Sequence, residues 1–302
     1  MPVAGPHEQV LERCADGATA PRSVPNEIDA LLDRVAHLPT APRILPRLLA
    51  ALSDTRTDVN EIVDLVTLDT ALTARLLRIC NSAFFGTSQP VEEVDEAVHR
   101  LGFDTVYRAV AVLSGSDCFK IQGVSDADSD ALWRHSVATA FAALFVAEDI
   151  GLDRGVLFTA GMLHDFGRII LAIASQKSGT VRIATALASD AGVLAWEKAS
   201  YGFTHAEAGG RMLERWRFSN HLVASVRYHH EPAAAGEAAR FAACIAVANA
   251  LAHGLDAAAS QPSSAPETDA ALNILGWSAK QMDCYGERIS ENLRFAEGMC
   301  RS

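Results

Sequence analysis

Apolar residues recur along this chain at spacings of three and four, and no run alternates convincingly with a period of two. In LTARLLRI the stripe is Leu72, Leu76 and Ile79; in HLVASVRY it is Leu222, Val223 and Val226. On a helix of 3.6 residues per turn such positions share one face. Helix starts are marked too. Asn26 is placed to cap NEIDALLDRVAHL, and Asp58 with Glu61 sets a cap and an N3 carboxylate ahead of IVDLV. Thr204 with Glu207 repeats that device in THAEAGGRMLERW. No Asn-Gly or Asp-Gly pair stands between alternating apolar runs. The pattern predicts an all-α protein, a bundle of helices closed by one in WSAKQMDCYGERISENLRFAEGM.

Breaks in the pattern suggest an organisation. The first 25 residues are rich in Pro and Ala and weakly periodic, the composition expected of a mobile tail. The polar stretch GVSDADSD, Gly123 to Asp130, is the best internal boundary, giving an N-terminal helical lobe over 26–125 and a second lobe over 126–302. The loose segment from Leu255 to Asp269 is expected to be a surface loop within the second lobe.

With 302 residues, 49% of them hydrophobic, the chain can bury a sizeable core. Its net charge of −11 argues against a function built on neutralising nucleic-acid phosphates, so no direct nucleic-acid partner is expected. The six cysteines are dispersed without a CxxC pair, which fits neither a zinc ribbon nor a disulfide framework. The start lacks the basic-then-apolar layout of a signal peptide, and no long apolar stretch escapes charge. A cytoplasmic protein without membrane partners is expected.

The candidate chemistry is a scatter of histidines in apolar surroundings. His135 lies near the start of ALWRHSVATAFAALFVAED, and His164 and Asp165 are expected mid-helix in VLFTAGMLHDFGRIILAIA. His205 follows the Thr204 cap, His229 and His230 end HLVASVRYHH, and Asn249 lies inside ARFAACIAVANALAH. Gly161 and Gly167 flank the His-Asp pair and would let other helices approach closely. Imidazoles with a carboxylate suit Zn, Mn, Fe or Ni. Each residue alone has a plainer reading: a hydrogen-bonded core histidine, an Arg168–Asp165 ion pair, an Asn249 bonded to backbone. The set is informative because one fold must satisfy many polar groups in apolar surroundings.

His135, then His164-Asp165, then a polar residue in a later helix is similar to the HD superfamily of metal-dependent phosphohydrolases. His205 and the His229-His230 pair look like the added ligands of its two-metal HD-GYP branch. The first half resembles the HD-related output domain, HDOD, through Leu38-Pro39, Asp69 before Ala71-Leu72, Asn81-Ser82-Ala83 and Leu101-Gly102. The stretches LWRHS, HDFGR, THAEAGGRMLERW and YHHEP fit it as well, so the likeness runs from about Asn26 to the C-terminus. It implies an HDOD-type helical lobe packed on an HD-like lobe. It also implies a metal set of His135, His164, Asp165, His205, His229, His230 and Asn249 for one or two divalent ions (Fe, Mn, Zn, Ni or Mg).

The chain departs from that pattern. A catalytic HD site closes with an Asp, where the matching position here holds Asn249, and an amide ligand brings no charge. Arg168 stands where HD-GYP enzymes have Lys, and YHHEPAAAG lacks the GYP signature. The resemblance then implies a stand-alone, non-catalytic signalling module. Such a module acts through protein contacts with signalling partners and through a bound metal, nucleotide or cyclic dinucleotide, with Arg168 as a phosphate contact. The alternative is a phosphodiesterase-type phosphohydrolase in which Asp165 and Arg168 serve catalysis. Asn81-Ser82 and Phe84-Phe85-Gly86 read as a capped helix stop with core aromatics, or else as a docking surface.

Overall fold

A computed structural model describes residues 24–36, 59–82, 85, 89–120, 124–175, 190–256 and 266–301. Among these residues the chain is all-α, with no strand. The first half comprises α1 (Val24–Ala36), α2 (Val59–Thr67), α3 (Thr70–Cys80), α4 (Val94–Leu101) and α5 (Phe103–Cys118). There follow α6 (Asp126–Ile150), α7 (Arg154–Leu163), α8 (Phe166–Ser175), α9 (Asp190–Tyr201), α10 (His205–Arg215) and α11 (Asn220–Arg227). After a 3-10 turn, Pro232–Ala238, come α12 (Ala239–Asp256) and α13 (Pro266–Leu275). A second such turn, Ala279–Cys284, leads into α14 (Gly286–Arg301). The expected closing helix is therefore split, its first third being the tighter 3-10 turn.

The long helix α6 is the axis of the bundle. From Leu132 to Ala147 nearly every side chain is buried, because α7, α12 and α14 all pack on it. Its run of small and apolar residues has no polar face to spare, the composition of a helix surrounded by protein. Ser125 accepts from the Asp128 amide at its start, and Gly151 closes it in the left-handed region, at φ 68°. In the first half, α3 starts where the Asp69 carboxylate accepts from the Ala71 and Leu72 amides. It buries Leu72, Leu76, Ile79 and Cys80, the predicted stripe. Helix α5 then joins the two halves, packing on α6, α7 and α14.

Several local expectations meet their test here. The Thr204–Glu207 capping box is present in full at α10. Helix α1 begins at Val24, so Asn26 lies within its first turn rather than capping it; Pro25 fits there because first-turn amides have no helical acceptor. Asp58, most of the tail and most of the segment from Leu255 to Asp269 lie outside the described residues, as do Phe84 and Gly86. Asn81 acts structurally. Its amide donates to the Val91 carbonyl at 2.8 Å and accepts from the Val91 amide at 2.7 Å, while Phe85 packs edge-on to Phe295. The segments Arg154–Ser175 and Pro232–Leu255 are long and apolar enough to cross a membrane, yet both are mostly buried inside the protein.

Candidate functional site

The His-Asp pair sits at a break between helices, not in mid-helix as its apolar surroundings suggest: α7 ends at Leu163 and α8 starts at Phe166. His164 Nδ1 donates to the Gly161 carbonyl at 2.8 Å, the acceptor that an unbroken helix would offer to the Asp165 amide. The next helix opens with a bond from the Arg168 amide to the Asp165 carbonyl at 2.9 Å. Backbone contacts pin this turn on both sides. A Cβ on Gly161 would lie 2.6 Å from Ala140 Cα, and one on Gly167 would lie 1.9 Å from the His205 carbonyl oxygen. Helix α7 thus rests directly on α6, and α8 on the first residue of α10.

This packing gathers the predicted residues from five elements. Asp165 is the hub: its Oδ1 lies 3.1 Å from His205 Nε2 and 2.9 Å from Arg168 Nε, and its Oδ2 lies 3.6 Å from His164 Nε2. His229 follows α11 in a turn and donates from Nδ1 to the Val226 carbonyl at 2.7 Å. His230 Nε2 lies 3.2 Å from His205 Nε2. From α6, His135 meets the Asn249 side chain of α12, Nε2 to Oδ1 at 2.8 Å. The cluster is buried: His164 and His205 are 0% exposed, Asp165 and His135 1%, and His230, the most open of the set, 8%.

Charge in such a place is set by competition between burial and neighbours. Burial pushes the His164 imidazolium down to about 3, despite the adjacent Asp165, so His164 is neutral. Burial would raise Asp165, but the charge of Arg168 and the hydrogen bond from His205 outweigh it and hold the carboxyl well below its usual range. His205 is disfavoured as a cation by burial and by Arg168, yet its hydrogen bonds to Asp165 and Glu197 overcome both and raise its pKa. The two directions agree: the Asp165 carboxylate is favoured as an anion, and beside it His205 holds a proton more firmly than a free imidazole.

Two members of this centre escaped the sequence reading. Glu197 of α9, 2% exposed, accepts from His205 Nδ1 at 2.8 Å and from the His205 amide at 2.8 Å. The His253 ring lies tilted against His135, 4.4 Å between ring centroids. His253 lies one helical turn beyond Asn249 and was legible as a residue on the same face. Nothing in WEKAS distinguishes Glu197 from the chain's other acids.

The donor atoms fall into two groups, His135–His164–Asp165 and His205–His229–His230, each within 4.8 Å of one another. The residues fit a divalent ion. Both His164 and His229 use Nδ1 on backbone carbonyls, which turns Nε2 and its lone pair inward. His164 Nε2 makes no hydrogen bond among the described residues despite full burial, as expected of a ligand atom. Asp165, with one oxygen towards each group, is placed to serve both. Asn249 faces His135 as an amide where a carboxylate would have added charge. Arg168, 4% exposed, is held against Asp165, the ion-pair placement.

A family model described as the HDOD domain matches residues 38–232. The chain belongs to the HDOD family. Among solved structures, this HDOD protein is similar to a candidate phosphohydrolase from Shewanella amazonensis SB2B. The two are 23% identical with a TM-score of 0.62, over 89% of this chain and 98% of that one. It is similar also to a candidate signal transduction protein from Marinobacter aquaeolei VT8, 20% identical with a TM-score of 0.69, over 92% of this chain and 66% of that one. These likenesses establish the fold. An uncharacterized protein of Treponema pallidum (strain Nichols) is 24% identical over 187 residues, covering 57% of this chain. The HDOD chain spans 33% of that relative's length.

Proposed function

We propose that this HDOD protein is a regulatory signalling module in which the histidine centre is a buried binding site that shapes the fold without turning over a substrate. The observation that carries the reading is the pairing of His135 with the neutral amide of Asn249 inside a cluster at most 8% exposed. Hydrolysis of a phosphodiester needs a site that admits one and anions that hold the ion charged against it. This site is closed, and its final donor lacks the charge.

The residues that would hold an ion are His164, Asp165 and His135 on one side and His205, His229 and His230 on the other. A bound ion would supply cross-linking between α6, the α7–α8 turn and the start of α10, and in the catalytic alternative it would acidify a water. A Zn, Mn, Fe or Ni ion matches this donor set. Signals would arrive by protein contact or by a ligand that changes how the halves pack, occupancy of one arrangement being favoured by whatever binds it better.

The catalytic alternative has one observation in its favour, the placement of Asp165 between two histidine groups, which is how two ions would share a carboxylate. The likeness to a candidate phosphohydrolase from Shewanella amazonensis agrees with it but rests on fold alone. Elemental analysis of protein purified without a metal-affinity step, run beside hydrolysis of bis(p-nitrophenyl) phosphate, separates the readings. The regulatory reading expects no turnover whether or not metal is present. Turnover that is lost in Asp165→Ala would overturn it.

A further inference from the structure

A cleft of about 340 Å³ opens on the other side of α6, between α3, the end of α5 and α14. None of its lining residues belongs to the histidine centre. Its volume lies within the range of small-molecule sites. Three cations face it, Arg75 from α3, Lys120 just after α5 and Arg134 from α6, although the protein as a whole carries −11. Arg134 is paired with Glu297 of α14, and Arg75 donates to Ser116 Oγ at 3.0 Å, so both guanidinium groups are held in place at the wall. The floor is aromatic: Phe119 and Trp133 line it and are 2% and 7% exposed. Asp130 adds an acceptor at the rim.

We propose that this cleft binds a small phosphorylated ring compound of nucleoside-monophosphate size. The guanidinium fork of Arg75 and the ammonium of Lys120 take the phosphate, since planar forks match phosphate oxygens in pairs. The ring lies over the Trp133 and Phe119 floor, and its amino groups donate to Asp130 or Glu297. Both charges and apolar floor are required, so neither half of the ligand suffices alone. The lining residues come from both halves of the chain, and the bound molecule would bridge them. The site does not depend on whether the histidine centre holds an ion, so its failure and that of the regulatory reading are separate results.

The test titrates the full chain with AMP and GMP, with adenosine and with inorganic phosphate, by calorimetry and by tryptophan fluorescence. One nucleotide is expected to bind saturably, with adenosine and phosphate each about tenfold weaker or worse, the loss expected for one charge-assisted interaction. Lys120 is exposed, so Lys120→Glu spares the core and should weaken the nucleotide by about tenfold or more. Lys198→Glu makes the same charge change at an exposed site outside the cleft and should leave affinity unchanged. The proposal is overturned if neither nucleotide binds, if inorganic phosphate binds as tightly as the nucleotide, or if Lys198→Glu weakens binding as much as Lys120→Glu.

Discussion

Arg134 and His135 are neighbours on one helix and belong to different worlds. The Arg134 side chain is 42% exposed and forms one ion pair at the wall of a cleft, whereas His135 is 1% exposed and faces Asn249 and two other imidazoles. A turn of about 100° between successive residues is enough to carry the chain from wet to dry. At the cleft, water can replace any partner that is lost. In the centre, at most 8% exposed, water has little access, so losing one partner leaves the other buried and unpaired.

Substitutions should therefore cost far more on the dry side. Gly167→Ala is the severest, because its Cβ would meet the His205 carbonyl oxygen at 1.9 Å and backbone cannot swing aside. A loss of about 3 kcal/mol or more is expected in urea unfolding. A variant as stable as the parent would show that the α8–α10 contact is looser than described. His135→Ala removes the partner of the Asn249 carbonyl and should cost about 2 kcal/mol. Arg134→Ala, next along the chain, should cost under about 1 kcal/mol, the ordinary scale of an exposed ion pair. Equal losses at these two positions would erase the contrast.

Acid sharpens the same comparison. His164 is held down to about 3, so below pH 6.5 the unfolded imidazole takes a proton that the folded one refuses. Stability from this residue is lost as the pH falls from about 6.5 towards 3. Asp165, lowered by its partners, adds a loss in the same direction below its ordinary range. His205 works in reverse. Its raised pKa gives a contribution that is full below 6.5 and fades as pH rises through the folded value. Glu197→Gln should weaken that contribution, so melting temperatures of parent and variant should differ most near pH 6 and converge in alkali. A difference that grows with pH would contradict a raised His205 pKa.

The readability of these regions from sequence differs for a physical reason. Local devices could be read directly. The Thr204–Glu207 box depends only on residues three apart, and the α3 stripe depends only on helical spacing. The member residues of the histidine centre were legible because a family resemblance joined them, and the structure brings His135, His164, Asp165, His205, His229, His230 and Asn249 together. The break at His164-Asp165 was not legible, since what ends the helix is a carbonyl bond and two backbone contacts from α6 and α10. Glu197 was hidden for a similar reason: its role comes from the fold of α9 back onto His205. The cleft draws on residues from Arg75 to Cys300, a separation that periodicity does not span.

Gly161 and Gly167 have a consequence for how such a protein can change over generations. They hold four helices in register, α7 on α6 and α8 on α10, through main-chain contacts that do not depend on the neighbouring side chains. A single base change exchanges Asp for Asn, and the glycine contacts nearby do not depend on which of the two is present. The main-chain architecture is heritable separately from the side chains it surrounds.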